Sequence, residues 1–236
     1  MKKTIQRVLA AVILFAMILS GGFSEVGKVH AEKQQGTTKR AIYVVFDNSG
    51  SMYGDGNKAW SQATYAMEVF AAMMNYESGD VMKVFPMHDI TTDGNTGSAT
   101  KSSMEIRGKD DIAQIHNMYT PKPGGTPYTQ VNNAAGELTK LLNAGSVDEG
   151  WLVVLTDGDF DNDIPASGLK ADLEGKAAAN ENLYVQYLAI GTDVKNIPEG
   201  NADKGLYAQK AGNTSEVVNE LAEISNRIFK RNEYAG

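Results

Sequence analysis

Two short runs constrain this chain more than anything else in it. Residues 41–46 read Ala-Ile-Tyr-Val-Val-Phe, and residues 151–156 read Trp-Leu-Val-Val-Leu-Thr. Both are almost unbroken in their apolar character and too short for a buried helix. Such runs are strands covered on both faces, the pattern of a parallel sheet between helical layers. Each stops at an aspartate, Asp47 and Asp157.

The segments between alternate in the same sense. Trp60, Ala63, Met67, Phe70, Ala71 and Met74 recur at helical spacing, one apolar face of an amphipathic helix. Residues 81–87 read as a second strand. Residues 88–101 are polar, with Asp93-Gly94 as a turn signal, and 103–107 return as the other arm of a hairpin. A short helix over 110–118 is followed by a stiff loop holding Pro121, Pro123, Gly124 and Gly125. Residues 128–143 and 169–179 are helical in pattern, 183–190 is a strand, and 206–209 is a last, short one. The final helix opens at Asn213 with Glu216 three residues on, a capping-box arrangement. Its stripe is Val217, Leu221, Ile224 and Ile228. The expected fold class is α/β: a doubly wound, mostly parallel central sheet with one antiparallel edge strand and helices on both faces.

Ligands of open α/β sheets bind beyond the carboxyl ends of the strands, where strand order reverses. Two strand ends here are polar: Asp47-Asn48-Ser49-Gly50-Ser51 and Thr156-Asp157-Gly158. The loop Gly124-Gly125-Thr126-Pro127 is a third candidate. Oxygen-only side chains suit a hard cation such as Mg2+ or Mn2+. Ser49 and Ser51 lie two apart, so an extended loop points both hydroxyls the same way.

These three motifs, in this order, resemble the metal-ion-dependent adhesion site (MIDAS) of von Willebrand factor A (VWA) domains. The pattern is Asp-x-Ser-x-Ser, a later threonine and a later aspartate, filled here by Asp47, Ser49, Ser51, Thr126 and Asp157. The resemblance spans roughly residues 40–232 and implies a Rossmann-like VWA fold. It implies serines, and at times the threonine, touching the metal, with aspartates acting through water. An ion short of direct negative charge is an electrophile for an outside carboxylate. The resemblance therefore implies a protein or peptide partner presenting Asp or Glu. It also implies a switch, in which Thr126 enters the coordination shell and the helix over 214–231 slides along the sheet.

Taken singly, each motif has a structural reading: an Asx turn at Asp47, a loop hydroxyl at Thr126, an ordinary turn at Asp157. Asp157, Asp159, Asp161 and Asp163 alternate like a calcium loop, but the sixth and twelfth places hold Asn162 and Gly168, so an EF-hand fails. The last three aspartates read as a solvated acidic rim. His88 and His116 lack metal-pair spacing and read as core or surface residues, and Met67, Met73 and Met74 as core filling. A hydrolase elbow needs Gly-x-Ser-x-Gly, which the serine motif is not, so no enzyme is expected. The alternative is a scaffolding part of a larger surface complex.

Formal net charge is −7, which disfavours nucleic acid and anionic lipid as partners. With no cysteine, disulfides and thiolate metal sites are excluded. Lys2, Lys3 and Arg7 precede an apolar run over 8–19, and Val29, His30 and Ala31 offer a cleavage site. That is a signal-peptide layout, and the run is shorter than the ~20 residues of a membrane span. Residues 1–31 are read as a signal peptide, 32–39 as a linker and 40–236 as the VWA domain. The protein is expected to be secreted or at the cell surface, touching membrane only if the N-terminal segment is retained. The sequence carries no wall-sorting signal and no C-terminal membrane helix. It reads as freely secreted or as the front of a longer protein.

Overall fold

The computed structural model describes residues 38–90, 101–118, 125–158, 160–161, 163–192 and 194–229, without the side chains of 55–57. The signal peptide, most of the linker, the Asp93-Gly94 turn and the proline-rich stretch before Gly125 lie outside the described residues.

Among the described residues six strands form one sheet in the order β3-β2-β1-β4-β5-β6. They are β1 (Arg40–Phe46), β2 (Val81–Pro86), β3 (Met104–Ile106), β4 (Glu149–Thr156), β5 (Leu183–Ile190) and β6 (Leu206–Ala211). All neighbours are parallel except β2 and β3, where Val84 pairs antiparallel with Met104. The expected fold class is the one observed. An antiparallel bridge between Ile90 and Lys101 extends the hairpin arms.

Among the described residues five α-helices cover the faces: α1 (Gly54–Met73), α2 (Ile112–His116), α3 (Thr129–Asn143), α4 (Ala166–Ala177) and α5 (Thr214–Phe229). The two-residue period of β1 sorts its side chains between them. Ile42, Val44 and Phe46 join Met67 and Phe70 of α1, Ile115 of α2 and the Val217, Leu221, Ile224, Ile228 stripe of α5. Ala41, Tyr43 and Val45 join Val131, Ala134 and Leu138 of α3 and Leu169 and Leu173 of α4. Every residue of β4 is buried, as the unbroken run in its sequence required. Trp151 anchors the first layer, its ring 4.8 Å from that of Tyr184. Truncating such a buried tryptophan typically costs about 3–5 kcal/mol.

The α5 cap forms largely as expected. Asn213 Oδ1 accepts from Glu216 N at 3.1 Å, while the Glu216 carboxylate reaches past the cap to Gly212 N at 2.6 Å. Strand β6 runs two residues further than its sequence suggested. As an edge strand paired only to β5, it keeps Lys210 exposed and carries a weaker apolar signal. Met67 and Met74 are core residues, whereas Met73 is half-buried. Among the described residues no helix is long and apolar enough to cross a membrane.

Candidate functional site

Strand order reverses between β1 and β4: chain connections leave β1 towards β2 on one side and β4 towards β5 on the other. The crevice beyond their carboxyl ends receives Asp47 and Asp157 directly. Asp47 N donates to Leu155 O at 2.7 Å, so the β1–β4 ladder extends one residue past β1 and fixes this aspartate in the sheet.

The first motif closes on itself. Ser49 N donates to Asp47 Oδ1 at 2.9 Å, the Asx turn expected from the sequence. That turn brings the Ser49 and Ser51 hydroxyls to 3.0 Å from one another. Asp47 and Ser49 are buried and Ser51 is exposed, so the hydroxyl pair leads from the interior to solvent. Thr156 Oγ1 donates to Asp47 Oδ2 at 2.8 Å and accepts from Gly158 N at 2.9 Å. Gly158 has a positive φ of 86°, and a Cβ there would also collide with Lys195 O, so the position requires glycine.

Thr126 is buried, and its loop is tied at three points. Its N–H donates to Asp161 Oδ1, its carbonyl accepts from Asp161 N at 3.2 Å, and His88 Nε2 donates to the neighbouring Gly125 O at 2.8 Å. Gly125 has φ 81°, and a Cβ on it would lie 2.5 Å from Asp161 Oδ1. His88 is held in turn by Asn48, whose Oδ1 accepts from His88 N and whose Nδ2 donates to His88 O, each at 2.8 Å. A belt of Asn48, His88 and Asp161 thus joins the ends of β1 and β2 to the threonine loop.

This corrects one sequence reading and refines another. Asp161 is exposed, but it is a backbone acceptor rather than only a solvated rim. His88 is a surface residue, as expected, and its ring serves as a loop anchor. No sequence signal identified either, because both act across loops distant in the chain. Asp159 lies outside the described residues, and Asp163 is exposed.

Electrostatics single out Asp47. Burial and the nearby Asp157 carboxylate push its pKa up to about 6, against the lowering bonds from Ser49 and Thr156. Two carboxylates sharing a desolvated crevice repel, and a divalent cation beside them reverses that sign. Among the described residues no group of three His, Cys, Asp or Glu has metal-holding geometry. The five residues expected from the sequence would offer two paired hydroxyls, a buried threonine and two aspartates, a chemistry that fits a hard oxygen-seeking cation and not a soft one.

No family model and no curated protein matches this chain. Solved structures do. Proximal thread matrix protein 1 from the mussel byssus superimposes with a TM-score of 0.52 at 16% identity, over 81% of this chain and 48% of that one. A structure of the same byssus protein with a zinc-occupied MIDAS motif gives the same values. The pilus adhesin SpaC from Lactobacillus rhamnosus GG, in its open conformation, gives 0.53 at 16%, over 84% of this chain and 31% of that one. The chain thus spans about half of the first protein and a third of the second. What these likenesses establish is architecture: the chain has a Rossmann-like fold of the VWA type.

Proposed function

We propose that this protein is an exported, metal-dependent protein-binding module, and not an enzyme. Asp47, Ser49, Ser51, Thr126 and Asp157 would hold one Mg2+ or Mn2+. The bound ion would supply a coordination place for an Asp or Glu side chain of a partner. The observation that carries this reading is the 3.0 Å Ser49–Ser51 hydroxyl pair set against a buried Asp47 at the β1–β4 switch point. The hydroxyls leave the ion electrophilic, and Mg2+ keeps exchangeable waters that a carboxylate can replace. A surface location is in keeping with a byssus matrix protein and a pilus adhesin sharing the fold. The matrix protein also favours a second reading, in which the domain scaffolds a larger surface complex and the metal is structural.

Affinity capture from the native cell surface separates the two. Under the leading reading a partner is retained in Mg2+, released by chelator, and lost when Ser51→Asp places a carboxylate where the partner's would enter. A partner retained at full affinity through both treatments belongs to the scaffold reading.

The helix switch remains part of the proposal. A slide of about one turn, ~5.4 Å, would have to break the 2.7 Å bond from Arg227 Nη1 to Gln186 Oε1 and lift Arg227 off the Tyr207 ring.

A further inference from the structure

Among the described residues four side-chain polar atoms are buried with no hydrogen-bond partner: Arg40 Nε, Thr64 Oγ1, Tyr187 Oη and Ser225 Oγ. Three of them have relief close by. Arg40 Nε lies 3.7 Å from the Glu149 carboxylate. Thr64 and Ser225 stand in α1 and α5, where a short hydroxyl can turn to the backbone carbonyl one turn back. A phenol is carried too far from its own backbone to do so. Tyr187 of β5 is fully buried and keeps an unsatisfied hydroxyl, an arrangement that calls for a reason.

The strand register sets that residue beneath the candidate metal site. Tyr187 pairs with Val154, Val154 pairs with Val45, and all three belong to the layer of α3 and α4. Two residues further on, the strand period returns to the same face. There Asp47 follows Val45 and Thr156 follows Val154, and Thr156 Oγ1 donates to Asp47 Oδ2. Opposite Thr156 on β5 is Ala189, so in that row β5 adds only a methyl group beside the pair. The electrostatics agree with this placement. Burial first, and then the Asp47 and Asp157 carboxylates, push the Tyr187 pKa up. A carboxylate has about four lone-pair sites, and the bonds from Ser49 N and Thr156 Oγ1 take only part of those on Asp47.

Resting on the metal reading above, we infer that Tyr187 is a positioning residue of the metal site, its hydroxyl donating to the Asp47 carboxylate directly or across one water. Groups that serve a metal depend on such partners to fix their orientation. Asp47 is then held from its own turn by Ser49, from β4 by Thr156 and from β5 by Tyr187, three neighbouring parts of one sheet. The hydroxyl counts most in the loaded protein, where the carboxylate is ionised and accepts strongly. Without the ion it is a buried polar group that costs stability. Its contribution therefore differs between the loaded and the empty protein, which a packing role alone would not produce.

The test compares wild type with Tyr187→Phe, which removes the hydroxyl and keeps the ring. Tyr43→Phe, from the same layer, is the control. Mg2+ affinity is measured by calorimetry, stability by urea unfolding in chelator and at one fixed Mg2+ concentration, and tyrosine environment by the absorption change that Mg2+ induces. Tyr187→Phe should bind Mg2+ about tenfold more weakly. It should be no less stable than wild type in chelator, fall behind it in Mg2+, and lose part of the absorption change. Tyr43→Phe should match wild type in affinity and in signal. A Tyr187→Phe affinity within about twofold of wild type, an undiminished absorption change, or a stability loss as large in chelator as in Mg2+ would overturn the inference and leave the metal reading intact. A wild type that takes up no Mg2+ overturns both.

Discussion

Two buried aspartates sit at opposite ends of this sheet, and they are used in different ways. Asp80 lies just before β2. Its Oδ1 accepts from Arg40 N at 2.8 Å and its Oδ2 from Asn75 N at 2.9 Å. Both oxygens are spent on backbone, and the carboxylate staples the start of β1 to the turn that leads into β2. Asp47, beyond the end of β1, also accepts two bonds, from Ser49 N and Thr156 Oγ1. It differs in facing Asp157, and burial beside that second carboxylate raises its pKa to about 6. Burial alone therefore does not mark a functional carboxylate. A staple is satisfied by amides; a poised group keeps an unfavourable neighbour that only a further partner relieves.

The comparison breaks most sharply at the metal. Asp47→Ala should weaken Mg2+ binding at least a thousandfold, about 4 kcal/mol, while Asp80→Ala leaves it within threefold by calorimetry. Stability should reverse the order. Asp80→Ala orphans two part-buried amides and should cost about 2 kcal/mol in urea unfolding, and Asp47→Ala in chelator should cost less because its removal also ends a repulsion. Adding Mg2+ at a hundred times its dissociation constant should stabilise the wild type by about 2.7 kcal/mol and leave Asp47→Ala unmoved.

Smaller effects test the belt around the site. Asp161→Ala frees the Thr126 loop and should lower metal affinity about tenfold, as lost supporting partners of metal ligands commonly do. Asp161→Asn, which keeps an acceptor, should recover most of it. His88→Ala removes only the donor to Gly125 O, and a loss of about threefold is expected. An Asp161→Ala variant with wild-type affinity would show that the loop needs no anchor.

Much of this architecture was legible before any coordinates. The runs ending at Asp47 and at Asp157 had to be strands buried on both faces, and the stripes of α1 and α5 had to face a sheet. The place of the reversal was not legible, because alternation of elements leaves strand order open; the order puts it between β1 and β4 and brings Asp47 and Asp157 to one crevice. The serine pair was legible as a pair but its geometry was not: Gly50–Tyr53 is a 3-10 turn rather than the expected extended loop, and the hydroxyls meet behind the Asx turn at Asp47. The belt was not legible. Asn48 meets His88, His88 meets Gly125, and Asp161 meets Thr126 across separations of 35 to 40 residues. No local period encodes such contacts, and Asp161 sits in an aspartate-rich stretch where composition alone suggested solvent.

The central claim is that the switch-point oxygens hold one divalent cation. Mn2+ is paramagnetic, so its free and bound forms can be counted directly by electron paramagnetic resonance. The account predicts one saturable Mn2+ per chain, displaced by Mg2+ and lost in both Asp47→Ala and the double variant Ser49→Ala with Ser51→Ala. Saturable binding that persists at the same stoichiometry and affinity in both variants, or no saturable binding to the wild type at all, would contradict it.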